Sequence, residues 1–582
     1  MTTNSNLEQK RHTLAHLLAA AVLDLYPEAK NTIGPAIDNG FYYDFDLASP
    51  ISDKDLPKIE ARMRELLPDW SHFVSEEVSA AKAKSHYETN PYKQELIDEI
   101  VERGEPLTLY TAGDFTDLCR GGHVEAPVTD LDPAGFKLDR VAGAYWRGNE
   151  TNKMLTRIYG LAFDNQVDLE YYLAIREEAE KRDHKKLGKE LGLFIFSDLV
   201  GSGLPLWTVK GTLIRELLND YVWELRQAKN FGRVTIPHIT KKDLYETSGH
   251  WSKFADELFR ITTREGHEFA MKPMNCPHHT QIYAAEQRSY RDLPQRYAET
   301  TMVYRDEQSG ELAGLSRVRS ITQDDAHVFC RENQIEAEIN TIWDIIDTFY
   351  RTFGFDLQVR FSRHNPAEFD KYLGTPAIWA KAEDKLKTVI TDRYGQNFID
   401  GVGEAAMYGP KIDFMAKDAL GRILQVATIQ LDFNMPERFD LTCINEQGQK
   451  EQIVMIHCAI MGSIERFMST LIEHYAGAFP LWLSPVQVAI LPVAEAHDKA
   501  ASDIAHQLQA EGIRVEALYS GETLGKRLRA VKMQKVPYFI VMGDKEIESG
   551  KLTIENRQGD KEELTPKELS EKLHTAINQK LA

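Results

Sequence analysis

The run Tyr475–Ala494, YAGAFPLWLSPVQVAILPVA, holds 20 residues without a formal charge. That is long enough to cross a bilayer as a helix, so its fate decides the class of the chain. Pro480, Pro485 and Pro492 interrupt it, and each removes a backbone donor and clashes with the preceding helical turn. The run therefore predicts a domain junction leading into a buried strand, VQVAIL, and no membrane span. The N-terminus, MTTNSNLEQKRHTLAHLL, lacks the basic flank, long apolar run and small-residue cleavage site of a signal peptide. Five scattered cysteines, Cys119, Cys276, Cys330, Cys443 and Cys458, are no disulfide framework. A cytoplasmic location with free thiols is expected.

At 582 residues the chain should hold about three or four domains. Its 42% apolar content excludes wholesale disorder. The 69 basic and 89 acidic residues give a net charge of −20, which weighs against bulk polyanion binding. Residues 483–582 are nearly balanced, however, with 14 basic and 15 acidic side chains. Nucleic-acid contact by a local surface stays open.

Three segments differ in texture. Up to about residue 165, an amphipathic helix (Leu7–Leu25) precedes Gly-rich turns and strand-like runs such as FYYDFDL. A charge-rich helical stretch, Asp168–Gly192, then ends on glycine and reads as a connector. From about 193 to 480, strand-like runs with hairpin-length connections predict an antiparallel sheet. The last hundred residues alternate strand and helix, which predicts a small α/β domain.

Four constellations carry possible chemistry. His12 and His16 stand four apart on one helix face, and Cys119 and His123 flank a Gly-Gly turn; together they suit a zinc site or a hydrolytic pocket. MVYRDE places Arg305 and Glu307 two apart, followed by Arg317, Gln323, Asp325 and His327. An arginine there suits a phosphate, and a glutamate accepts from an amine. GSIERF (Gly462–Phe467) opens a helix with Arg466 one turn in, as an anionic ligand would favour. Cys276, His327 and His457 form a scattered trio whose separations carry no local metal signature; spacing alone does not choose them over His278, His279 or Cys458. Each also has a plainer explanation: unrelated His and Cys pairs, a solvated ion-pair face, a packed helix start.

In combination these motifs resemble the threonyl-tRNA synthetases, a family of class II aminoacyl-tRNA synthetases. TLAHLLAAAV, IGPAIDNGFYYDFD, DLCRGGH, GAYWRG, KRDHKKLGK, KPMNCP, SYRDLP, TQDDAH, YGPKIDF, QLDF, GSIERF and GDKEIESGK occur in the family's order over almost the whole chain. The resemblance implies an α+β multidomain fold: an editing domain (1–165), a connecting helix (166–192), a class II antiparallel catalytic core (193–482) and an α/β anticodon-binding domain (483–582). It implies ligation of L-threonine to tRNA(Thr) with ATP and Mg²⁺, hydrolysis of mischarged seryl-tRNA, one Zn²⁺ per chain, and a homodimer whose interface includes the strand around Pro237.

Roles follow by position. Cys276, His327 and His457 match the zinc ligands; three protein ligands leave a position open for substrate. Gln323, Asp325 and Tyr408 match the threonine pocket, and Arg305, Glu307, Arg317, Gln425 and Arg466 the ATP site. His250 matches a histidine beside the tRNA terminus. His12, His16, Lys93, Asp117, Cys119 and His123 match the editing pocket, which in the family works without metal. Arg529 and Arg557 match anticodon contacts, although YSGETLGKRLRAV departs from the family pattern near Gly521 and Thr523. The resemblance is to a form without the small extra domain that often precedes the editing module. A related synthetase charging another amino acid such as proline, or a regulatory RNA-binding relative that lost synthesis, are the rival expectations.

Overall fold

The computed structural model describes residues 3–417 and 421–580. The chain divides into two compact units, Met1–Glu178 and Ala179–Ala582.

In the first unit the helix Thr3–Leu25 lies on a sheet in which Lys30–Asn31, Gly40–Asp46, Met154–Ala162 and Phe136–Tyr145 are neighbours in that order. Its buried face is Leu14, Ala15, Leu17, Leu18, Ala21 and Val22, packed with Phe41, Tyr43 and Phe45 of the sheet. Small alanines let the helix approach closely, which sets His16 beside Tyr43 of the sheet, their rings 6.3 Å apart. A second, three-stranded sheet (Val74–Glu77, Thr108–Ala112, Phe115–Leu118) delivers Asp117 and Cys119.

The expected single connecting helix is two. Gln166–Arg182 stops, and Asp183 caps a new helix, His184–Glu190, its carboxylate accepting from Lys185 N–H. An aspartate side chain that captures a backbone donor favours such a break over continuing the helix.

The second unit is built on an eight-stranded sheet. Its order is Gly232–Arg233, Gln295–Tyr304, Ser320–Cys330, Val454–Ser463, Ile423–Asp432, Lys411–Lys417, Leu357–Arg363, Ile399–Val402. All pairings are antiparallel except those of the two edge strands. Strand alternation sorts the central strand Ser320–Cys330. Ala326, Val328 and Cys330 face the main core, while Gln323, Asp325 and His327 face the other way. A register shift between Asp324 and Ala326 accompanies this, and bulges of this kind re-aim side chains beside sites. Asp324 turns inward, where Ile460 and Met461 N–H and the buried Arg226 hold it.

The uncharged run resolves as a junction and a strand. Val488–Pro492 is fully buried between Val515–Ala517 and Tyr538–Met542 in a mixed five-stranded sheet. The preceding carbonyls are satisfied by arginines: Arg514 donates to Trp482 and Ser484, and Arg557 to Ala478 and Phe479. Among the described residues no helix is long and apolar enough to cross a membrane.

Candidate functional site

On the open face of the large sheet, three elements bring Cys276, His327 and His457 together, with their ligand atoms within 4.8 Å of one another. His327 and His457 are direct partners across antiparallel strands, their rings 4.8 Å apart. Cys276 begins the helix Cys276–Ala284, where Pro277 starts the turn. All three are buried. Burial, with Asp325 and Asp432 nearby, pushes the Cys276 thiol well up, and burial drives His327 well below the usual imidazole range.

Each imidazole is held from behind. His457 Nε2 meets Asp432 Oδ2 at 2.9 Å, and His327 Nδ1 meets His279 Nδ1 at 2.7 Å, while His327 Nε2 faces Asp325 Oδ1 at 3.7 Å. Outer partners of this kind fix the tautomer and orientation of metal-binding histidines. A thiol and two such imidazoles with one position uncommitted are the donor set of a catalytic zinc site. The residues present fit that ion. Sequence reasoning passed over Asp432, although QLDF is one of the motifs, and left His279 as an unchosen alternative. Strand alternation explains why Cys458 is no ligand, since it faces the main core.

Around this trio, Asp325 is buried with its carboxyl pushed up to about 6, and Asn275 donates to it at 3.0 Å. Tyr408 stacks on His457 at 4.6 Å and donates to Gln430. Gln323 shares the face of Asp325. Lys272, which the sequence left unnoticed, is buried with its ammonium lowered by burial to about 8 and donates to Thr301. His250 is buried rather than on an open surface. Its nitrogens meet Ser248 Oγ and Met274 Sδ, and burial lowers it to about 3. It belongs to the wall of the site, 6.5 Å from the Tyr408 ring.

Arg305 follows the strand Gln295–Tyr304, with its Nε buried and without a hydrogen-bond partner. Arg317 donates to Glu307 at 2.8 Å. Arg466 stands exposed in the first turn of Ile464–His474. Gln425 is committed to Asp413 and Arg360.

The first unit assembles the second cluster. His12, His16, Cys119 and His123 also bring their ligand atoms within 4.8 Å. His12 Nε2 lies 3.1 Å from Cys119 Sγ, which lies 3.4 Å from His123 Nε2. Gly121 and Gly122 take φ of +91° and +87°, the left-handed turn that lets Gly121 N–H reach the sulfur. Burial lowers His16 to about 3 and His123 to about 2, and raises the Cys119 thiol to about 11. Behind them Asp117 is buried but paired with Lys93 at 2.5 Å and accepts from Tyr43 and Tyr87. A cavity of about 410 Å³ opens onto His12, His16, Lys93, Asp117 and Cys119.

In the C-terminal sheet, Arg529 is exposed on the helix Leu524–Met533. Arg557 corrects an expectation. Its guanidinium is spent on the carbonyls of Lys535, Ala478 and Phe479 and on Ser484 Oγ. It locks the junction, with four of its five N–H donors committed there.

An antiparallel sheet with arginines at a strand end and at a helix start, followed by an α/β domain, defines a class II aminoacyl-tRNA synthetase. The family model for the tRNA synthetase class II core domain (G, H, P, S and T) matches residues 259–475, and that for the anticodon binding domain matches 487–575. A threonine–tRNA ligase of Deinococcus deserti is 45% identical over 95% of this chain and 86% of its own length. One from Synechococcus elongatus is 44% identical over 99% and 96%. A solved structure described as the RNA binding domain of threonyl-tRNA synthetase from Cryptosporidium parvum superposes with a TM-score of 0.65 at 36% identity, covering 68% of this chain and 98% of that one. The chain belongs to the threonine–tRNA ligase family.

Proposed function

We propose that this synthetase activates L-threonine with ATP and Mg²⁺, transfers it to tRNA(Thr), and hydrolyses seryl-tRNA at a second site. The observation that carries the synthetic reading is the convergence of Cys276, His327 and His457, backed by Asp432 and His279, in a chain 45% identical to threonine–tRNA ligases.

Cys276, His327 and His457 would hold one Zn²⁺, which supplies a Lewis-acidic contact for the amino and hydroxyl groups of threonine. Asp325 accepts from the hydroxyl, Tyr408 orients the amino group, and Gln323 closes the same face. Valine has no oxygen to offer and brings no hydroxyl to Asp325 in a buried site, so it is rejected by a factor of roughly 10⁴. Arg305 takes the α-phosphate, Glu307 the adenine amine, and Arg317 and Arg466 the outer phosphates, so that negative charge developing on the phosphoryl oxygens meets fixed donors. Gln425 orients within the same pocket, and His250 supports the wall beside the tRNA terminus.

Serine differs from threonine by one methyl, worth about 1–3 kcal/mol or roughly 10–200-fold. The second site is assigned to the 410 Å³ cavity of the first unit. There His12 and His16 are neutral imidazoles that can orient a water by hydrogen bonds, His123 stacks behind His12, and Lys93 and Asp117 fix the floor. Exposed Pro237 and Ile239 suit a homodimer interface, Arg529 an anticodon contact, and the free thiols a cytoplasmic setting.

The test is ATP–pyrophosphate exchange across threonine, serine, valine and proline. Exchange with threonine and serine but not valine is expected. Exchange with proline alone, or with none of them, overturns the reading.

A further inference from the structure

Asp183, His184 and Glu473 also bring their ligand atoms within 4.8 Å of one another. Their hydrogen bonds assign them differently from the two Cys/His clusters. The backbone N–H of Leu315 donates to His184 Nε2 at 3.1 Å. An amide N–H only donates, so Nε2 is an acceptor and the ring proton sits on Nδ1. That nitrogen donates to Glu473 Oε1 at 2.7 Å. Asp183 is occupied with the cap of its own helix. Both imidazole nitrogens are therefore spent inside the fold, and neither lone pair is left for an ion.

What His184 holds is the turn that leads into Arg317. Gly314 has φ of +56°, and a Cβ there would fall 2.4 Å from His184 Nε2, so the backbone rests on the imidazole. The Leu315 side chain is fully buried in the main core, in the cluster that includes Leu187 and Leu191. Ser316 Oγ meets Ser469 Oγ at 3.1 Å, and Ala313 N–H closes the turn onto Arg317 O at 3.2 Å. Glu473, on the far side of the ring, belongs to the helix Ile464–His474 that carries Arg466. One imidazole thus bridges the turn bearing Arg317 and the helix bearing Arg466.

We propose that His184 is a positioning residue for ATP, fixing the Arg317 turn against the Arg466 helix so that the two guanidinium groups meet the phosphates at a set separation. This rests on the reading that those arginines bind ATP. His184 touches no substrate itself. It removes the loop's freedom before ATP arrives, and pre-organisation of that kind raises affinity by cutting the ordering cost of binding.

Two replacements separate the halves of the bridge. In His184→Asn the amide nitrogen stands where Nδ1 stood and keeps the bond to Glu473, while the acceptor for Leu315 is lost. In His184→Gln the amide oxygen stands where Nε2 stood and keeps that acceptor. Threonine-dependent pyrophosphate exchange is measured against ATP and against threonine, with melting temperature recorded and Arg317→Ala as reference. His184→Asn should raise KM for ATP about tenfold with KM for threonine within about twofold. His184→Gln should restore most of the loss. The proposal is overturned if His184→Asn leaves KM for ATP unchanged while Arg317→Ala raises it. It is equally overturned if both His184 variants lose ATP and threonine affinity together in step with melting temperature, or if Gln fails to rescue. If Arg317→Ala itself leaves KM for ATP unchanged, the ATP reading of this loop falls first.

Discussion

Two clusters of cysteine and histidine, one in each unit, both bring their ligand atoms within 4.8 Å of one another and are built on opposite principles. In the catalytic core the side chains come from a helix start and two paired strands, and each imidazole is gripped on its far nitrogen by Asp432 or His279. In the first unit the four residues partner chiefly one another, and Nδ1 of His16 and of His123 makes no hydrogen bond. The buried carboxylate beside them, Asp117, stands 3.5 Å from His16 but is already compensated by Lys93, Tyr43 and Tyr87. A metal site needs ligands whose orientation is fixed by outer hydrogen-bond partners. Ligand-type residues in a neutral pocket with an open cavity suit water and a hydroxyl-bearing substrate instead. The outer partners, rather than the residue types, separate the two.

The sharpest break of this comparison is Cys276→Ala. It should abolish the zinc binding proposed at one ion per chain and lower threonine-dependent exchange by about 10³-fold or more, with the fold retained by circular dichroism. Near-normal exchange from a metal-free protein would leave the two clusters with no functional difference. The matching change in the first unit, His12→Ala with His16→Ala, should leave zinc content and exchange intact while serylated tRNA accumulates. Misacylation should climb to what one methyl allows, roughly one charge in 10–200. A double variant that still clears seryl-tRNA removes the editing assignment. Asp432→Asn sits between them. It keeps a hydrogen-bonding group beside His457 but removes the charge, and should weaken zinc about 10–100-fold in competition with a chromophoric chelator. Unchanged affinity would deny the outer carboxylate the weight placed on it here.

Much of this was readable before the structure. The proline-broken apolar run declared a junction and a buried strand, and three prolines leave little else possible. The four-residue spacing of His12 and His16 needs only helix geometry. The trio in the core is legible by resemblance alone: His327 and His457, 130 residues apart, meet through the register of Ser320–Cys330 against Val454–Ser463, and Cys276 arrives from the start of a separate helix. Asp432 stayed hidden for the same reason: its bond to His457 crosses between neighbouring strands. The break at Asp183 and the service of Arg557 in the junction were equally invisible. One depends on a local competition between cap and helix, and the other on carbonyls supplied from 78 and 79 residues away.

The smallest expected effect is in pH dependence, and it probes the neutral character of the first cluster directly. In the folded chain His16 is lowered to about 3 and His123 to about 2, both chiefly by burial. In the unfolded chain both revert to an ordinary value near 6.5. Below that pH the unfolded state takes up protons the folded state refuses, so acid favours unfolding. The stabilisation is complete above about pH 6.5 and drains away as pH falls toward 3. At pH 5.5 each imidazole removes at most about 1.4 kcal/mol, a factor of about ten in the local folding constant. Amide hydrogen exchange along Thr3–Leu25 should therefore quicken between pH 7 and pH 5.5, and His16→Gln should flatten the dependence. If protection of that helix held at pH 5.5 and failed only on adding a chelator, the cluster would be competing for protons with a bound cation, and the contrast between the two units would vanish.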